Sequence, residues 1–343
     1  MRKKATQTVK IDDVAFHAKV SPSTVSLFIR KPEKVSKKTG DKIQKSIDEL
    51  GYVYNKIASQ FTGSKSKTIS IIVPSISNEV FSDILQRLEE IVSTKGFQLK
   101  IASHDHNLIK EEEQIRSMLE WSPSTLIITG QEHTESSKKM LNNTSSTVIQ
   151  MMDLDGTFSR QVGFDQEKSG FDATQYLRDS GCRKIAFFAT RFEDDIRAQK
   201  RYNGYCKAIS NFEGGCTPIL IDIPYSRNSY EDARRHLSQA LAKHRGIDGI
   251  VATNDAIGIG SMIEAHERGI KIPEQMSVIG FGDFSISACL APITLSSVNL
   301  HSEQMAQKLA ELTFASFDST TPLEKNIDTG YSIIPRGSTK LIY

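Results

Sequence analysis

The chain has 343 residues, 38% of them hydrophobic and 24% charged, against a typical domain of about 100–200 residues. That composition predicts two or three soluble globular domains and excludes disordered and collagen-like classes. No run approaches the roughly 18 apolar residues of a membrane span. The basic start Met1-Arg2-Lys3-Lys4 leads into no apolar secretory segment. The four cysteines (Cys182, Cys206, Cys216, Cys289) contain no C-x-x-C pair, which argues against zinc or a disulfide framework. A cytoplasmic protein without cofactor, metal or membrane partner is expected. The net charge of +2 hides an asymmetry: residues 1–67 hold 15 Lys/Arg against 6 Asp/Glu, and residues 68–343 hold 28 against 35. A basic head on an acidic body is the footprint of nucleic-acid contact, because Lys and Arg displace counterions from phosphates. On charge alone, a solvated basic tail reads equally well.

Three short helices are predicted in the head. Ile11, Val14, Ala15 and Ala18 recur at i, i+3, i+4 and i+7, one apolar face of a helix. After Lys19-Val20, Ser21 is a natural N-cap and Pro22 sits at the first helical position, where its missing N–H costs nothing. A third helix runs from about Lys37 to Leu50, with Gly51 past its end. Two short helices joined by a tight turn and braced by a third make a helix-turn-helix unit, whose second helix enters the major groove. A small helical bundle without a nucleic-acid role is the bland alternative. Asn55 to Thr62 is too short for a stable isolated helix in water. Gly63-Ser64-Lys65-Ser66-Lys67 reads as a flexible boundary.

From Thr68 onward, β-like apolar runs alternate with amphipathic helical stretches. The strands are predicted at Thr68–Val73, Phe97–Ser103, Thr125–Thr129, Thr147–Met151, Gln161–Phe164, Lys184–Ala189, Ile219–Ile223, Gly249–Ala252 and Met276–Gly280. Between them lie helical patterns such as Val80–Lys95, Gln166–Ser180, Ala198–Asn211 and Ala256–Arg268. Alternation of this kind implies an α/β fold of parallel sheets covered on both faces. A body of this length divides into two lobes whose strand ends enclose a cleft. No P-loop, H-E-x-x-H or G-x-S-x-G motif is present, so no enzyme is expected. Gly258-Ile259-Gly260 lacks the third glycine of a dinucleotide fingerprint, and His104-Asp105-His106 reads as a strand-end loop before it reads as a metal site.

Val14-Ala15, Val20-Ser21, Thr24-Val25-Ser26, Val35-Ser36 and Gly51-Tyr52-x-x-Asn55 resemble the head of a LacI-family bacterial repressor. The body continues that resemblance in Ile71-Ile72-Val73-Pro74-Ser75, Val162-Gly163-Phe164-Asp165, Thr253-Asn254-Asp255-x-x-Gly258-x-Gly260 and Pro273-x-x-x-Ser277-Val278-x-Gly280-Phe281. It implies an N-terminal helix-turn-helix head (1–54), a hinge helix and linker (55–67), and a two-lobed periplasmic-binding-protein-like core (68–343) for effector binding and dimerisation. The N-lobe is expected at about 68–164 and 296–328, the C-lobe at about 165–295 and 329–343. By the same resemblance Pro22, Ser23 and Leu27 read bases, while Lys10, Ser21, Thr24, Ser26, Lys34, Ser36 and Asn55 hold phosphates. Lys56, Ala58, Ser59 and Phe61 fall on the hinge, where Phe61 replaces the usual Leu as a wedge in the minor groove. Leu27 stands where many members have Arg, the commonest bidentate reader of guanine, so a different operator is expected.

Words such as Pro74-Ser75-Ile76-Ser77-Asn78-Glu79-Val80-Phe81 and Ser117-Met118-Leu119-Glu120-Trp121 resemble the gluconate-utilisation branch of the family. The resemblance places Pro74, Ser75, Phe81, Thr129, Asp153, Arg201, Asn254 and the Gly282-Asp283 turn at the cleft. Arg201 is the expected anion clamp, because a guanidinium donates two parallel hydrogen bonds to a carboxylate. Asp153 and Asn254 are the expected hydroxyl partners, with Phe81 as an apolar wall and Lys200 and His133 in second rank. Gly282 replaces the family's first Asp, which puts the usual hydroxyl contact of that turn in question. The function implied is a repressor of sugar or sugar-acid genes, dimeric on a pseudo-palindromic operator and released by an effector such as gluconate. The sequence ends at Tyr343 without a heptad segment, which favours a dimer over a tetramer. An effector-enhanced regulator, a carbohydrate enzyme with a basic head and a transport binding protein are the alternatives.

Overall fold

In a computed structural model, residues 9–52, 66–154, 158, 160–211, 217–224, 228–316 and 325–340 are described. The chain divides into two compact units, Met1–Lys65 and Ser66–Tyr343. In the first, α1 (Ile11–Ala18), α2 (Pro22–Arg30) and α3 (Lys37–Leu50) enclose Val14, Ala15, Ala18, Val25 and Ile43. Lys19 ends α1 in the left-handed region (φ 57°), which makes the turn tight enough for Ser21 to cap α2. Its hydroxyl accepts the Thr24 N–H at 3.2 Å. Gly40 lets α3 approach Phe28: a Cβ there would stand 2.8 Å from the ring.

The second unit holds two six-stranded sheets. The first contains β1 (Thr68–Val73), β2 (Gln98–Ser103), β3 (Thr125–Thr129), β4 (Thr147–Met152), β5 (Gln161–Gly163) and β11 (Asn326–Asp328), in the order β11-β5-β4-β3-β1-β2 and parallel throughout. The second contains β6 (Ile185–Thr190), β7 (Leu220–Ile223), β8 (Gly249–Ala252), β9 (Ser277–Phe281), β10 (Ser296–Asn299) and β12 (Ser332–Ile334), in the order β12-β10-β9-β8-β6-β7. Only β12 runs antiparallel to its neighbour. Continuous burial along β1, β3, β6, β8 and β9 is what parallel strands covered on both faces require.

The helices of the first lobe are α4 (Glu79–Ser93), α5 (Leu108–Leu119) and α6 (Glu135–Asn143); those of the second are α7 (Gln166–Asp179), α8 (Ile196–Ser210), α9 (Ser229–Lys243) and α10 (Asp255–Glu267). Asn78, Asp165, Asp195 and Asn254 cap α4, α7, α8 and α10 through their side-chain oxygens, satisfying amide groups that a helix start leaves open. The chain passes between the lobes after β5, after β10 and between β11 and β12. The lobe division expected at residue 296 therefore needs correction. Ser296–Asn299 pairs in parallel with β9, so the second crossing comes just after it, at His301 (φ 50°). The following helix α11 (Ser302–Ala315) packs Met305 and Leu309 into the core that also holds Leu85, Leu88 and Val92 of α4.

Candidate effector cleft and nucleic-acid interface

In the head, Lys10, Ser21, Pro22, Ser23, Lys34 and Ser36 are exposed, while Thr24, Ser26 and Leu27 are half-buried along α2. The hydroxyls of Ser21 and Ser36 are engaged as helix caps, Ser36 accepting the Thr39 N–H at 3.3 Å. Any phosphate contact at these two positions therefore comes through a cap and the amide groups of a helix start, an arrangement that favours anions. Lys19, Lys31, Lys37, Lys38 and Lys42 add exposed positive charge. Asn55, Lys56, Ala58, Ser59 and Phe61 lie outside the described residues.

In the body, the carboxyl ends of the central strands of both sheets converge. Pro74 and Ser75 follow β1, Thr129 ends β3, Asp153 follows β4, Thr190 ends β6, Asn254 follows β8 and Phe281 ends β9. Among the described residues, small cavities lie among these ends. One, of about 60 Å³, is lined by Asn78, Phe81, Met152, Asp195, Arg197, Arg201, Asn254 and Phe281. A second, of about 120 Å³, adjoins it through Asp195 and Arg197 and is walled by Pro74, His104, His106, Glu111, Thr129 and Gln131. A third, of about 280 Å³, takes in Ser75, Glu79, Asp105, Arg191, Tyr230, Asn254 and Phe284.

Arg201 is buried, with only 7% of its surface exposed. Its Nε donates to Gln166 Oε1 at 2.8 Å and its Nη1 to the Thr253 carbonyl at 2.9 Å. The guanidinium lies 4.4 Å from the centre of the Phe281 ring. Among the described residues Nη2 has no hydrogen-bond partner, so the group keeps a donor for a ligand. Burial pulls the Arg201 pKa down to about 10, opposed by Asp195, and the side chain stays cationic at neutral pH.

The sequence reading missed Arg197. It lies one turn before Arg201 on α8, is equally buried, faces the Phe81 ring at 5.3 Å, and donates Nε to Asp195 at 3.2 Å. The i, i+4 spacing that puts both arginines on one helix face was the available signal. Burial raises the cost of charge on Asp195, but Arg197, His106 and Arg201 outweigh it and hold that carboxyl at about 2.

Asp153 is buried and pairs with Lys200 Nζ at 3.2 Å across the lobes. Asn254 spends Oδ1 on its cap to Ile257 at 3.0 Å; its amide nitrogen makes no hydrogen bond among the described residues. Phe81 is buried against the cavity. Thr129 donates to the Ile72 carbonyl at 3.3 Å, and Ser75 bonds to Ser77 at 2.9 Å. His133 does not line the cleft: it is buried behind it, with Nδ1 2.7 Å from Glu111 Oε2.

Asp283 is also placed elsewhere, contrary to expectation. Gly282 (φ 120°) and Asp283 (φ 51°) turn the chain away, and the Asp283 carboxylate is held by Arg336 at 2.5 Å and Asn299 at 2.7 Å. It lines a separate groove with Arg87, His301 and Glu303. Glycine at 282 has a steric reason as well, since a Cβ there would meet Phe284 at 2.6 Å and Val80 at 2.9 Å. Direct links also bridge the lobes: Arg191 Nη2 to Asp105 at 2.8 Å, and the Ser285 N–H to Glu79 at 2.6 Å. Among the described residues no group of three or more His, Cys, Asp and Glu is arranged to hold a metal, and no helix is long and apolar enough to cross a membrane.

Residues 10–55 match the family described as bacterial regulatory proteins, lacI family, and residues 174–339 match a periplasmic binding protein-like domain. The transcriptional regulator GntR of Escherichia coli (strain K12) is 30% identical over 96% of this chain and 98% of its own length. The chain belongs to the LacI family of transcriptional regulators. The regulator IdnR of the same organism is 29% identical over 95% of this chain and 97% of its own. A LacI-family regulator from Silicibacter pomeroyi, known by crystal structure, superposes with a TM-score of 0.88 at 27% identity, covering 96% of this chain and 99% of the other. This LacI-family chain thus joins a DNA-reading head to a two-lobed body, one of whose cleft cavities is lined by two arginines and an aspartate.

Proposed function

We propose that this LacI-family chain is a repressor of sugar-acid catabolic genes whose operator affinity is lowered by a small carboxylate, gluconate in the first instance, bound between its lobes. The observation that carries this reading is the buried pair Arg197 and Arg201, both lining one 60 Å³ cavity. Asp195 pairs with Arg197, which leaves the second guanidinium, Arg201, to a ligand, and a carboxylate accepts the paired hydrogen bonds a guanidinium offers. The likeness to GntR over nearly the full chain supports gluconate among such acids.

The chain acts as a dimer in the cytoplasm and performs no catalysis; two heads would meet a pseudo-palindromic operator, mirroring the protein's two-fold symmetry. Ile76, Tyr230, Ile263 and Ile286 are each more than a third exposed, apolar surface available for a second copy. Ligand bound across the Arg191–Asp105 and Lys200–Asp153 links resets the angle between the lobes, and with it the spacing of the two heads. Operator and effector then oppose each other through one coupling free energy of about 1–3 kcal/mol.

Titration calorimetry of the full chain with gluconate and with glucose tests the ligand. Gluconate should bind, glucose should bind about tenfold or more weakly, and Arg197→Gln should narrow that difference. Equal binding of the acid and the neutral sugar would contradict the clamp.

A further inference from the structure

The second chamber of the cleft contains a group the anion clamp does not use. His104, in the loop after β2, is 94% buried at a relative exposure of 6%, yet among the described residues neither Nδ1 nor Nε2 has a hydrogen-bond partner. It walls the 120 Å³ chamber together with Glu111, Thr129 and Gln131, and Gln131 Nε2 is likewise unpartnered among the described residues. A buried polar group without a partner is costly, and native structures keep few of them.

Resting on the sugar-acid reading above, we infer that the ligand lies extended through both chambers, its carboxylate on Arg197 and Arg201 and its hydroxylated tail on His104. The site then selects open-chain polyhydroxy acids over short acids and over ring-forming ones. The polarity of this placement follows from the side chains. Burial, reinforced by the nearby His106 and Arg197, pushes the His104 pKa down to about 3, so its ring is neutral at pH 7. A neutral imidazole offers one donor and one acceptor. Hydroxyl groups, which both donate and accept, suit the two nitrogens in turn, whereas a carboxylate only accepts and belongs beside the guanidinium groups. The two chambers adjoin at Asp195 and Arg197. A flexible chain can thread that junction with one end in each chamber, while a pyranose carries its hydroxyls around a disc that must fit one chamber whole.

The test is titration calorimetry of the full chain with gluconate, the four-carbon erythronate and the ring-forming glucuronate, on the wild type, His104→Ala and His104→Asn. Wild type should prefer gluconate to both other acids by about tenfold or more. His104→Ala should weaken gluconate by about tenfold and leave erythronate within about twofold. His104→Asn, which restores one donor and one acceptor, should recover part of the loss. An equal loss for gluconate and erythronate, no loss for either, or glucuronate binding as tightly as gluconate would overturn the tail assignment while leaving the repressor reading intact. Failure of all three acids to bind the wild type would overturn the sugar-acid reading itself, and this inference with it.

Discussion

Gly170→Ala sets helix propensity against packing in the element that carries the clamp. Gly170 lies in the interior of α7, where replacing glycine by alanine gains about 1 kcal/mol of helix stability. At this position α7 crosses α8 with backbones in contact: a Cβ on Gly170 would stand 2.6 Å from Arg201 Cα and 2.7 Å from its carbonyl carbon. Non-bonded carbons prefer about 3.5–4.0 Å, so the helices must part by about 1 Å. The obstacle is backbone, which no rotamer change relieves. Overpacking of this kind costs about 1–3 kcal/mol; with a rigid obstacle the upper end applies, and the net loss should be about 2 kcal/mol. Because α8 carries both Arg197 and Arg201, gluconate affinity should fall about tenfold in the same variant. Urea unfolding and titration calorimetry on one preparation measure the two effects. Stabilisation by alanine would refute the packing argument, and a stability loss with unaltered gluconate affinity would refute the placing of the clamp on α8.

Asp195 gives a pH-dependent test. Its carboxyl, held at about 2 against a free value of 3.8, contributes about 2 kcal/mol that is fully present above the ordinary carboxylate range and is lost as pH falls towards 2. The stability difference between wild type and Asp195→Asn should therefore be largest at pH 6 and about half gone by pH 3; a difference independent of pH would contradict the charge argument. For the head, Leu27→Arg should shift preference towards operator variants bearing guanine and cost about 1–3 kcal/mol on the wild-type site. Selection from a randomised operator library reads that shift, and an unchanged preference would remove Leu27 from the base-reading surface.

Much of the architecture was legible because the physics is local. Ser21 stands where a helix start needs a side-chain acceptor, and the apolar runs of β1, β3, β8 and β9 mark strands covered on both faces. The three-residue strands β11 and β12 carry too short a pattern to announce themselves, and they join sheets whose other strands lie far away in sequence. The pairing of Ser296–Asn299 with β9 was likewise invisible, since Ser-Ser-Val-Asn states no preference between lobes.

In the cleft, Arg201, Asn254 and Phe81 line the 60 Å³ cavity, whereas Asp153 lines none of the three cavities and is paired with Lys200. Arg197 escaped notice because a charge at i−4 on a surface-seeming helix reads as solvated until burial is known. Asp283 was misplaced for a backbone reason: the left-handed turn at Gly282-Asp283 decides which way the carboxylate points, and no periodicity encodes that. His104 reads as a strand-end residue, and only the fold shows that it is buried with ring nitrogens unpartnered among the described residues.

The central claim is that one small acid opposes DNA binding. Fluorescence anisotropy of the full chain on DNA from its own upstream region, at one fixed salt concentration because phosphate contacts make affinity salt-dependent, measures it directly. Gluconate should weaken the specific complex by about five- to 150-fold, and glucose should leave it unchanged. Specific DNA binding that is indifferent to gluconate, or tightened by it, would contradict the account.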